Sequence, residues 1–512
     1  MNTEYDVIVV GGGGSGLAAA ASAVETGCSV LVLEKQPHLG GTTGIAVGSF
    51  TANGTTQQKA AGIVDDPLQH EEDAGKFAAP EVEQRNNSAL RTYFLSHAAE
   101  TLNWLMDKGL TFYGPNPEPP NRVPRMHNVV PAAKAYIAVL EAELLQRGAT
   151  IVRSAHVTRL LNSAGRVAGV EFCQSGERIA SVRARRGVVL AAGDYANSPE
   201  IIAEFKGNEF SQIEGINPYA GGDGHRLAQS AGAKLLNMDV TYGPEIRFVA
   251  PPGKAFQQLL PSSPLAAKVM GRALPFVPRF LLNWMIKRLL VTWQHPENAL
   301  FDHGAILVNQ EGRRFCNERS WPDREIALAQ QPGKIAFLLL DQRLAEMYSA
   351  WPHFISTAPK IAYAYVNDYL KLRPDVTIAA PSLDSLAQRR NLNPIALRET
   401  IDEFNRYVLG EQADPLGRTN DQHPLQGSRW VLLGPANAYF TTTEGGAAID
   451  QQLRVLDEQG NAIPGLYAVG QNGLGGQILW GHGLHIAWAL TSGRLVGLEL
   501  GKQAASPVQF GG

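Results

Sequence analysis

The sequence predicts an α/β chain of two units, a Rossmann-like domain of the two-dinucleotide-binding type that is discontinuous, with an α+β cap inserted between its halves. Three observations predict it. The chain has 512 residues, beyond the size at which a single hydrophobic core keeps growing. A β-branched run, Tyr5 to Val10, ends in the glycines Gly11 to Gly14 and opens a helix, and a second apolar run follows at Ser29 to Leu33, which is the βαβ pattern. Buried-strand patterning of that kind then returns near Gly187 to Ala192 and Gly465 to Val469.

Taken in order, the first strand covers about Tyr5 to Val10 and the first helix about Ser15 to Thr26. The strand at Ser29 to Leu33 stops at Glu34, and its unbroken apolar character suits a sheet covered on both faces. Helices are expected near Asn87 to Lys108 and Ala132 to Arg147, a strand at Thr150 to Arg153, and alternating segments from there to Arg183. From about Gly207 to Trp430 the patterning loosens into Pro-rich connections, with helices near Asp341 to Ala350 and Pro394 to Val408. A closing helix runs to about Leu498. The expected division is 1–206 for the first part of the dinucleotide domain, 207–430 for the cap and 431–512 for the second part. No internal repeat is evident.

With 44% apolar and 18% charged residues, the composition is that of an ordered globular protein. A formal net charge of -3 gives no general reason to bind nucleic acid. Cys28, Cys173 and Cys316 lie far apart, without the spacing of a disulfide framework or a zinc site. The first strand starts by Tyr5, which leaves no room for a secretory signal, so a cytoplasmic location is expected.

In Gly11-x-Gly13-x-x-Gly16 the first glycine makes a tight turn. The second lets backbone amides approach a pyrophosphate, and the third lets helix and strand pack closely. The helix N-terminus, entered through Ser15, then faces the diphosphate. Glu34 ends the next strand, where a carboxylate accepts hydrogen bonds from an adenosine ribose.

The motifs beyond Glu34 and Lys35 narrow the cofactor. They are Leu39-Gly40-Gly41-Thr42-Thr43-Gly44, Val188-Val189-Leu190-Ala191-Ala192-Gly193, Thr443-Glu444-Gly445-Gly446, and Ile463-Pro464-Gly465-Leu466-Tyr467-Ala468-Val469-Gly470-Gln471. The cap adds Gly304 to Asn309 and Gly312 to Glu318. In this order they resemble the fumarate reductase/succinate dehydrogenase flavoprotein superfamily over nearly the whole chain. The resemblance implies FAD as cofactor, with Gly11, Gly13, Ser15, Gly16, Glu34, Lys35, Gly41, Thr42, Thr43, Gly48, Val157, Ala192, Gly193, Gly470, Gln471 and Leu484 at its site. Thr42 and Thr43 would lie near the ring, Val157 would meet the adenine and Gln471 the ribityl chain. The helix from Gly483 would point at the pyrimidine end, where a helix N-terminus stabilises the anion of reduced flavin. The histidine that carries covalent flavin in succinate dehydrogenases is missing after Gly41, so the FAD is expected to be non-covalent. No Cys-x-x-Cys-His haem motif is present.

Superfamily members that act on dicarboxylates use an arginine that falls at Trp480 here, a histidine that falls among Thr441 and Thr442, and a cap arginine that falls near Pro322, with Arg319 and Arg324 close by. A dicarboxylate pocket is therefore disfavoured. The segment Gly481-His482-Gly483 is similar instead to the 3-ketosteroid dehydrogenase branch, in which a glycine turn donates an amide to a substrate ketone. Desaturation beside a ketone sends an α-proton to a base and a β-hydride to flavin N5, while donors at the carbonyl stabilise the enolate. The expected catalytic residues are Tyr195 as base, the Gly483 amide, and His482 and Trp480 as further donors. Tyr113, Tyr242 and Tyr439 are the alternatives for the base. Tyr195 reads equally as a packing aromatic, and His482 as a satisfied core histidine.

The expected substrate is a hydrophobic neutral ketone, steroid or cyclohexanone in type, desaturated or, in reverse, reduced, with a quinone, a dye or oxygen as electron acceptor. The rival readings are a reductase of an unsaturated acid and an electron-transfer flavoprotein. Leu265 to Trp293 is apolar and basic. It suits an amphipathic membrane-surface helix or substrate portal as well as an ordinary cap helix.

Overall fold

The computed structural model describes residues 2–174, 177–251, 253, 259–260, 263–273, 276–293, 295–358 and 362–503. Its larger sheet is built around Glu4–Val10, whose apolar residues are buried. On one side lies Val30–Leu33, then Thr150–Val152; on the other lies Glu177–Leu190, then Ala462–Ala468 and Arg454–Leu456. All are parallel except the last pairing, with Val9 opposite Val32 and Val189, and Val189 opposite Tyr467. A strand from near the C-terminus thus completes the sheet begun by the N-terminus, and the domain is discontinuous as the sequence implies. Ala155–Ser163 and Arg166–Gln174 extend it as an antiparallel pair.

Two helices lie together against this sheet. The first, Gly14–Glu25, carries alanines along its buried length; the closing helix is Leu484–Lys502. Gly493, Gly497 and Gly501, spaced by four, face Ser15, Ala19 and Thr26 so closely that any Cβ would collide. Small residues on both sides set this close crossing, and dispersion contacts along it hold it.

The cap has its own sheet and core. Trp430–Phe440 is its central strand, pairing with Glu214–Gly215, Glu245–Phe248, Ala336–Leu340 and Thr377–Ala380. The expected return to the dinucleotide domain at 431 is therefore too early, because that strand belongs to the cap through Phe440. The entry boundary at 207 is too late, since Tyr195, Ala196, Ile201 and Ile202 already pack in the cap core. Glu318, from the cap motif, is buried and bonds the Leu307 amide, Arg314 and Arg418, so that motif is scaffolding. Among the described residues no helix is long and apolar enough to cross a membrane.

Candidate functional site

A cleft of about 780 Å³ opens at the ends of the parallel strands, the position at which open α/β sheets bind ligands. Gly11, Gly13, Ser15, Glu34, Lys35, Gly41, Thr42, Thr43, Val157, Ala192, Gly193 and Gln471 line it, so the structure gathers twelve of the sixteen expected cofactor residues at one place. The other four support the walls. A side chain at Gly16 would collide with the Gly11 carbonyl. Gly48 accepts the Tyr136 hydroxyl proton through its carbonyl, and Gly470 accepts from the Trp488 indole. Leu484 is turned into the core, with its amide bonded to Gly481 O.

Glu34 accepts the Gly12 amide at 2.7 Å through Oε2 and the Gln36 amide at 2.7 Å through Oε1, which fixes the carboxylate at the cleft wall. Lys35 pairs with Asp223 at 2.8 Å, tying the strand end to the helix Asp223–Ser230. Asn472, missed from the sequence, bonds the Ala192 amide at 2.6 Å and the Gly193 carbonyl at 2.8 Å. It pins the turn that Val188 to Gly193 makes at the cleft floor.

The cleft fits a dinucleotide flavin. Gly13 leaves the space above the first helix open, and that helix presents its N-terminus to the cleft with no side-chain cap, which suits a diphosphate. Gln471 donates to Thr442 Oγ1 at 2.9 Å and Thr443 O at 2.7 Å, whereas its own Oε1 is buried without a partner. An orphaned buried acceptor is costly unless a ligand donor meets it.

Next to the Gln471 end stands a polar and aromatic cluster. Thr442–Thr443 pairs with Thr241–Tyr242. The Tyr242 ring stacks on Trp480 at 5.6 Å and on His485 at 6.4 Å, and the Trp480 Nε1 is buried without an acceptor. His485 Nε2 lies 2.8 Å from the buried Glu444. Thr51 bonds the His482 carbonyl at 2.6 Å, and His482 Nδ1 lies 2.5 Å from Glu118, itself buried. The His482 side chain is 53% exposed. Desolvation pulls its imidazole pKa down, but the hydrogen bond and charge of Glu118, with Glu245 behind, outweigh this and hold it above the ordinary value. Burial raises the Tyr242 phenol pKa, helped by Glu245. Glu245 is held below its usual range despite burial, through Arg247, His295 and His482, and Arg247 lies 2.8 Å from it. Gly483 is the N-cap of the closing helix at φ 84°, and its amide makes no hydrogen bond among the described residues. Gly483, His482 and Trp480 lie together at the start of the closing helix.

Tyr195 does not join them. It is fully buried in the cap core, its hydroxyl donates to Met238 O at 2.6 Å, and it packs edge-on against His225. Burial raises its pKa far from a usable range. The expectation of Tyr195 as base is corrected: a residue just past a strand end turned toward the cap, not the cleft. Tyr113 is exposed on the small sheet of Thr111–Asn116, and Tyr439 sits in the central cap strand with its phenol raised by burial. Arg319 and Arg324 are not poised at the site either. Arg319 bonds Asp302 O and Asp421, and Arg324 bonds Glu318 O and Glu325.

The family described as FAD binding domain matches residues 6–248 and 266–478. A fumarate reductase (cytochrome) of Shewanella frigidimarina is 28% identical over 505 residues, 97% of this chain and 77% of that protein. The open conformation of a flavocytochrome c3 fumarate reductase superposes with a TM-score of 0.72 at 24% identity, covering 98% of this chain and 78% of the other. A 3-ketosteroid-Δ4-(5α)-dehydrogenase from Rhodococcus jostii RHA1 gives 0.59 at 24% identity, covering 98% of both chains.

Proposed function

Because the chain belongs to the FAD binding domain family, over 6–248 and 266–478, and is an FAD-dependent oxidoreductase, we propose that it reduces the carbon-carbon double bond of a neutral, cyclic α,β-unsaturated ketone of steroid or cyclohexenone type. The observation that carries the reading is the Trp480–Tyr242 stack at 5.6 Å. An uncharged aromatic wall stands where an acid-recognising pocket needs a guanidinium. Such a wall suits a flat, apolar ring.

When bound and reduced, FAD would supply the hydride; Glu34 would hold its adenosine end and the N-terminus of the first helix its diphosphate. The Gly483 amide, at a helix N-terminus, donates to the substrate carbonyl as negative charge develops there. Glu118 raises the His482 pKa, which favours His482 as the donor of the proton to the α-carbon. Tyr242 keeps its proton and serves as a second donor. A second reading, reduction of an unsaturated acid, draws on the 28% identity to a fumarate reductase and on Arg247, although Glu245 lies 2.8 Å from that guanidinium.

The test is anaerobic reoxidation of the chemically reduced enzyme. A cyclic enone should restore the yellow colour within seconds while fumarate does not. Faster reoxidation by fumarate overturns the ketone reading, and no reoxidation by either points to an electron-transfer flavoprotein.

A further inference from the structure

Between Glu245 and Glu297 there is no acidic residue, yet residues 246–296 hold seven Lys and Arg, Arg247, Lys254, Lys268, Arg272, Arg279, Lys287 and Arg288, in a chain whose net charge is -3. Part of this stretch forms two helices, Pro264–Ala273 and Arg279–Trp293. The first seats Ala267 and Gly271, one turn apart, on the dinucleotide domain, with Gly271 so tight against Thr111 that no Cβ fits. Its opposite face therefore points away from the protein. That face carries Leu265, 73% exposed, and Val269, 58% exposed, flanked by exposed Lys268 and Arg272. Phe276, between the helices, is 85% exposed. The second helix packs on the cap, against Ser356–Ala358, Ala362–Ala364 and Val366–Leu372, and keeps Trp284 42% exposed under Arg288. It also touches the strand Glu245–Phe248 that carries Glu245 and Arg247.

Exposed large apolar side chains interleaved with cations, on a segment that itself carries no acidic residue although Lys287 pairs with Asp368 of the neighbouring helix at 2.9 Å, match an anionic bilayer: the apolar groups enter the acyl boundary and the cations meet headgroup phosphates. A nucleic acid would leave the apolar side chains in water, and an ordinary soluble surface would intersperse both signs of charge. We infer that Pro264–Ala273, Phe276 and Arg279–Trp293 form a docking face for an anionic membrane surface, spanning both domains beside the strand that carries Glu245. A substrate dissolved in the bilayer would then reach the site without crossing water.

The experiment is co-sedimentation of the FAD-loaded enzyme with vesicles of phosphatidylcholine, with and without phosphatidylglycerol. The enzyme should pellet with the anionic vesicles only, and less as salt rises. Lys268→Gln with Arg272→Gln should weaken binding about 25-fold, from about fivefold for each cation near the surface. Phe276→Ser should weaken it about tenfold more. Because these side chains are exposed and outside the cleft, FAD content should match the parent in every variant. Failure to pellet with anionic vesicles at low salt, or variants that bind like the parent, overturns the proposal. So does a parent dimer that Phe276→Ser converts to monomer, since the face would then belong to a second copy. The measurement needs no substrate, so its outcome is independent of the ketone reading.

Discussion

His482 Nδ1 stands 2.5 Å from Glu118 Oε1, and the same oxygen accepts the His482 amide proton at 2.9 Å. One buried carboxylate thus fixes both the ring and the backbone of the residue that precedes the closing helix. It also supplies the charge that favours the imidazolium.

Glu118→Gln tests this. The His482 pKa is raised above the ordinary 6.5, so the protonated, active form persists to higher pH than in a free imidazole and is lost as pH rises through the raised value. With the charge removed the pKa falls, and the alkaline limb of the kcat profile should move to lower pH. His482→Ala should cost about 10² or more in flavin reoxidation, the scale for a general acid. Glu118→Asp should restore part of the limb. An alkaline limb that stays put in Glu118→Gln would remove the pair from the chemistry.

Tyr195→Phe should leave the rate of flavin reoxidation and the FAD content unchanged. It removes the bond to Met238 O and leaves a buried acceptor unpaired, which costs about 1 kcal/mol or somewhat more in stability. A lower Tm with parental kinetics is the expected result. A drop of tenfold or more in rate would return Tyr195 to the reaction.

Glu34→Ala should weaken FAD binding by about 1–3 kcal/mol, the loss of a charged hydrogen-bond partner together with disorder in the Gly12 and Gln36 amides that it holds. Titration of apoprotein with FAD, followed by flavin fluorescence, measures it. Equal affinity in variant and parent would rule the contact out.

The flavin half was legible because its requirements are local. A tight turn, a close helix and a carboxylate at a strand end each leave a residue type at a fixed spacing, and Gly11, Gly16 and Glu34 follow it. Trp480 was legible as a departure from a family pattern. Glu118 was not, for it meets His482 across 364 residues and no spacing rule links them. The residue after a strand is also free to turn toward either domain, and Tyr195 turned toward the cap. The strand Trp430–Phe440 is apolar enough for either sheet, so its partner depended on non-local pairing. The glycines at 493, 497 and 501 were visible but unread, since their meaning lies in the alanine-rich helix opposite.

That helix crossing has a consequence for how the protein is made. The cap sheet is complete in sequence by Phe440, and its core can condense while synthesis continues. The flavin domain cannot, because its sheet lacks Ala462–Ala468 and its first helix lacks the closing helix until the last turn has left the ribosome. Until then the Gly11 turn is exposed with nothing to brace Ser15. Cofactor loading therefore waits for the closing helix, in a domain whose two ends meet last.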